Sequence, residues 1–136
     1  MDLYENDRAE FLRYNAQVAE TLLKNPQFGA IFKSWDSKRC AVFLIANQDK
    51  VPQIEALIKD EQGVDFDQVT KQLLDMMDTM PKKLALYYSF PFLHDSMVKA
   101  LKPHREQVRG SYIWLAKQER TEKQKRMLQF LQIIVS

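Results

Sequence analysis

The sequence predicts an all-α fold, a compact single-domain bundle of about six to eight short helices over residues 1–136, and three observations carry that expectation. Only three glycines occur, Gly29, Gly63 and Gly110, and neither Asn-Gly nor Asp-Gly is present, so the turn chemistry of β-hairpins is missing. Proline punctuates the chain instead: Pro26, Pro52, Pro81, Pro91 and Pro103 each suit the first turn of a helix and would disrupt a helix interior. Between those stops apolar residues recur every three to four positions, the period of one helix face. A chain of this length fits one domain, and at 46% apolar and 28% charged residues it is too apolar and too evenly charged to stay disordered.

The first segment, about Asp2 to Lys24, sets Phe11, Asn15, Val18 and Leu22 on one stripe and Leu12, Ala16, Ala19 and Leu23 on the next, a broad amphipathic helix. Asn25 then suits the cap of a short helix from Pro26 that turns Phe28, Ile31 and Phe32 inward. Asp36 or Ser37 caps a third helix, Lys38 to Gln48. Its centre, residues 40–46, is apolar on every side, and periodicity does not separate a buried helix from a buried strand there. Helix is the better choice, because no second strand exists to satisfy its backbone. Pro52 opens a helix carrying Ile54, Leu57 and Ile58 as far as Gly63.

Asp65 with Gln68 resembles a capping box ahead of Phe66, Val69, Leu73, Met76 and Met80, whose spacing predicts one helix over Phe66 to Met80 near the centre of the bundle. Pro81 starts another through Leu84, Ala85, Tyr87 and Tyr88, and residues 89–92 read as a break. Short helices over Asp95 to Lys102 and Pro103 to about Lys117 follow. Thr121 and Gln124 then box the start of a last helix that docks by its greasy C-terminal half, Leu128 to Val135.

Charge is distributed unevenly. Asp60 to Asp78 holds six acids against Lys71, whereas Lys99 to Arg126 holds nine bases against Glu106, Glu119 and Glu122. The lone Cys40 forbids an intramolecular disulfide. The acidic start of the chain lacks signal-peptide character, and the longest apolar run, Ala41 to Ala46, is far too short to span a bilayer. A cytoplasmic protein that does not enter membranes is the expectation.

Catalytic patterns are missing. His94 and His104 stand outside any metal-ligand spacing, so no metal and no cofactor is expected; His94 beside Asp95 is a permissible acid-base pair, but a surface or capping role explains each histidine more simply. Arg39 beside Cys40 would activate the thiol if both were exposed, yet the edge of an apolar run favours a buried, inert cysteine. Three isolated glycines make no phosphate loop, and no Gly-x-Ser-x-Gly elbow occurs. The acid pairs Asp60/Glu61, Asp65/Asp67 and Asp75/Asp78 are explained by acidic helix starts and solvated faces.

Two sets of residues remain. Met77, Tyr87, Tyr88, Phe90 and Phe92 form a candidate interaction surface, since adjacent residues in a helix cannot all point inward and methionine and aromatics suit a partner's groove. Lys99, Lys102, Arg105, Arg109, Arg120, Lys123 and Arg126 form a candidate basic face for phosphates or an acidic protein surface. The expected function is a non-enzymatic protein-interaction or regulatory domain, with another protein or a second copy of itself (a homodimer) as partner. The alternatives are nucleic-acid binding through the basic face and a small-ligand pocket near Tyr87, Tyr88, Phe92 and Trp114.

Overall fold

A computed structural model describes residues 8–136, and no strand occurs among the described residues, so the all-α expectation holds. Contacts group the chain into two units, one ending at Leu73 and the other beginning at Leu74. The division falls inside a helix, where the sequence carries no linker.

The first unit holds α1 (Arg8–Leu22), α2 (Phe28–Ser34), α3 (Ser37–Ala46) and α4 (Val51–Ile58), then most of α5 (Phe66–Asp75). The part of the first predicted helix before Arg8 lies outside the described residues. Residues 39–46 are helical, and Cys40 through Ile45 are all buried, as a helix apolar on every side must be. Asp36 rather than Ser37 caps α3, its carboxylate accepting the Arg39 N–H at 2.7 Å. Phe28, Phe32 and Phe43 meet at ring-centroid distances of 5.7–6.5 Å, with Trp35 5.3 Å from Phe43. α1 packs on α3, and α2 on α4.

Two boundaries here differ from the sequence reading. Asn25 accepts the Gln27 N–H at 2.8 Å and closes a turn, so α2 starts at Phe28 instead of Pro26. α4 ends at Ile58, and the chain then turns through Gly63, whose φ of +94° is left-handed backbone that a side chain disfavours.

The predicted Phe66 to Met80 helix is the larger correction: α5 stops at Asp75, and Met80 begins α6 (Met80–Ser89). Thr79 explains the restart, for its hydroxyl accepts the Lys82 N–H and Pro81 occupies the first turn. Lys83 then reaches back, donating from Nζ to the carbonyls of Leu74 at 2.5 Å and Met77 at 2.8 Å, and so satisfies oxygens that the ended helix leaves open.

The second unit continues through a 3-10 turn at Pro91–Leu93, α7 (His94–Leu101), a 3-10 turn at Lys102–His104, α8 (Arg105–Ala116) and α9 (Glu122–Val135). α9 packs on α8, α7 and α6, burying Met127, Phe130, Leu131 and Ile134; its greasy end is therefore largely covered by its own chain. The predicted capping box is present, Gln124 N–H to Thr121 Oγ1 at 3.2 Å and Thr121 N–H to Gln124 Oε1 at 3.0 Å.

Candidate functional site

α6 ends in consecutive tyrosines. Tyr87 is anchored from below: its ring lies nearly parallel to that of buried Phe130, with centroids 4.4 Å apart, and its edge meets Tyr88 at 6.3 Å and His94 at 6.1 Å. This packing leaves Tyr88 43% exposed. Burial, and to a lesser degree the neighbouring Tyr87, raises the Tyr88 hydroxyl above its ordinary pKa of 10.0, so it stays protonated and able to donate at neutral pH.

The first turns of α9 bring Lys123 and Arg126 to the same place. With Tyr87, Tyr88 and Pro91 they line an open groove of about 180 Å³. Two exposed cations beside an aromatic wall and a hydroxyl donor are the kinds of group that can pair with a carboxylate or phosphate carried on an apolar or planar group. No family model, curated protein or solved structure matches this chain. Its own geometry is therefore what bears on function.

The predicted aromatic surface is only partly assembled. Phe90 is fully buried as the cap residue of α6 and is removed from it; Met77 and Phe92 are half-buried and lie outside the groove lining. Trp114 also lies outside that lining, 61% exposed on α8. The predicted basic face separates into three parts. Lys99, Lys102, Arg105 and Arg109 are exposed along α7, the 3-10 turn and α8, with Arg109 paired to Glu106 at 3.1 Å. Arg120 is withdrawn from it altogether: its guanidinium donates to the carbonyls of Leu115, Ala116 and Gln118 at 3.1, 2.8 and 3.1 Å, closing the end of α8. Lys123 and Arg126 alone join the tyrosines.

Cys40 is buried, donates its S–H to the Phe32 carbonyl at 3.3 Å, and has its pKa pushed by burial up to about 12, with Asp36 adding to the rise and Arg39 opposing it. At neutral pH it is a thiol and a poor nucleophile. Arg39 points elsewhere: it donates to the side-chain oxygen of fully buried Asn15 and lies 4.7 Å above the Trp35 ring. A hollow of about 260 Å³ beside it is lined by Phe11, Asp36, Lys38, Arg39 and Val42, but Asp36 is engaged as a cap and Arg39 by Asn15. Among the described residues, no three of His, Cys, Asp and Glu gather as a metal site, and no helix is long and apolar enough to cross a membrane.

Pro91, the fifth groove residue, was invisible as a binding residue because its sequence signal is only that of a helix break. Asn15 did carry a signal: an amide inside an apolar stripe needs a buried partner.

Proposed function

We propose that this chain is a non-enzymatic, cytoplasmic protein-interaction module that takes an acidic segment of a partner protein into the Tyr87–Tyr88–Pro91–Lys123–Arg126 groove. The observation that carries the reading is the meeting of exposed Tyr88 with Lys123 and Arg126, members of two residue sets far apart in sequence. A glutamate or aspartate of the partner pairs with the two cations and accepts from the Tyr88 hydroxyl, while an apolar neighbour packs on the tyrosine faces. Such rim charges act mostly on encounter rate and salt dependence, with the aromatic contact supplying residence time.

Fluorescence polarisation with a labelled peptide of alternating Glu and Leu tests it. Binding should weaken with salt, and Lys123→Glu with Arg126→Glu should raise Kd at least about tenfold, the equivalent of ~1.4 kcal/mol. A charge-reversed protein that binds as tightly as the parent sinks the proposal. A second reading follows from the same tyrosine: a stacking ring beside two cations also suits a single-stranded nucleic acid. Tighter, steeply salt-dependent binding of oligo(dT) than of the peptide would favour it.

A further inference from the structure

α8 buries Val108 and Leu115 and turns its opposite side outward. Along the centre of that outer side run Glu106, Gly110, Ile113 and Lys117, spaced four, three and four residues apart, with Trp114 and Arg109 on its two flanks. Ile113 is 45% and Trp114 61% exposed, two large apolar groups left in water at the centre and on one flank of the same outer side. Gly110 is the odd member. Its φ is not positive, and a Cβ built on it meets nothing within 4 Å, so neither conformation nor packing within its own chain calls for glycine. Glycine is the poorest helix former after proline, and inside a helix it otherwise marks a place where something approaches closely.

We infer that this face of α8 docks against the α8 of a second copy, the two helices running antiparallel about a two-fold axis between Gly110 and Ile113. A two-fold interface must be complementary to itself, and the stripe satisfies that condition along its centre. Ile113 of each copy enters the notch left by Gly110 of the other. At the ends, Glu106 of each copy meets Lys117 of the other, opposite charges on exposed side chains. On the flanks the same axis brings like to like: Trp114 of each copy lies beside Trp114 of the other, sheltering two exposed rings, while Arg109 stays at the rim in its pairing with Glu106. A parallel arrangement would instead set Glu106 against Glu106 and Lys117 against Lys117. A pair of helices twelve residues long forms an interface at the small end of the specific range, so the dimer is weak and concentration-dependent. The face is separate from the tyrosine groove, and the inference stands independently of the function proposed above.

Sedimentation velocity of the full chain, from low micromolar to near-millimolar concentration, is the test. The parent should move from monomer to dimer across the series. Lys117→Glu, which sets acid against Glu106 of the other copy, should raise the dimer Kd at least about tenfold. Combining it with Glu106→Lys, which exchanges the two charges, should restore the parent value. Gly110→Gln fills the notch and should abolish the dimer while raising the thermal midpoint of the monomer, opposite directions that a general folding defect does not produce. A parent that stays monomeric throughout overturns the inference, as does a dimer that is indifferent to Gly110→Gln or that the charge exchange fails to rescue.

Discussion

Replacing Arg39 by methionine removes the tie that holds Asn15 and Trp35 around it, and the structure sets the size of the effect. Asn15 is fully buried on α1; its amide donates to the Phe11 carbonyl at 2.7 Å, and Arg39 on α3 donates to its oxygen. Methionine keeps most of the aliphatic stem but donates nothing. The buried oxygen then loses that donor, a penalty of about 1–3 kcal/mol. Loss of the guanidinium from above the Trp35 ring adds ~0.5–1 kcal/mol, since this face is only half-covered. Together the substitution should cost roughly 1.5–4 kcal/mol, a large share of the ~5–15 kcal/mol that holds a domain folded.

Urea unfolding followed by circular dichroism measures it. The reasoning also fixes a second result: Asn15→Leu combined with Arg39→Met should cost less than the two single changes added, because each alone strands the other's polar group. A single-variant loss below about 1 kcal/mol, or strict additivity in the double variant, would refute the coupling.

The Cys40 thiol should make stability depend on alkaline pH. Its pKa rises from 9.0 to about 12 on folding, so well below pH 9 it is neutral in both states, and between 9 and 12 the unfolded chain ionises first. The unfolded state then binds fewer protons, and stability falls as pH rises by up to ~1.4 kcal/mol per unit; in urea titrations across that window Cys40→Ala should lose less stability with pH than the parent, and equal slopes would count against the burial argument. Thr121→Ala opens the capping box of α9 and should cost about 1 kcal/mol by the same assay, whereas Thr121→Ser should be near neutral.

What could be read from sequence follows from where the determining contacts lie. The box at Thr121 and Gln124 and the cap at Asp36 are local, made within three residues; pattern alone located the box and narrowed the cap to Asp36 or Ser37. Helix identity for residues 39–46 also came out, from the absence of any partner strand. The end of α5 did not, because Met76 and Met80 continue the apolar period while the interruption is decided by Thr79 and by the backward reach of Lys83. The site split along the same line. Tyr88, Lys123 and Arg126 were legible as residue types on helix surfaces, but their meeting depends on how α6 and α9 pack. Arg120 was miscounted as surface charge because its three carbonyl partners belong to the end of α8, which charge patterning does not see.

The two tryptophans sit in contrasting surroundings, one in each unit. Trp35 is wedged against Phe32 and Phe43 with the Arg39 guanidinium over its face, while Trp114 stands largely in water on α8. The two indoles should therefore differ in fluorescence: half-covered Trp35, reporting on the first unit, should emit to the blue of Trp114 and be quenched less by iodide, while Trp114 reports on the second. Trp35→Phe and Trp114→Phe would isolate each signal, so melting of either half can be followed without attaching a dye.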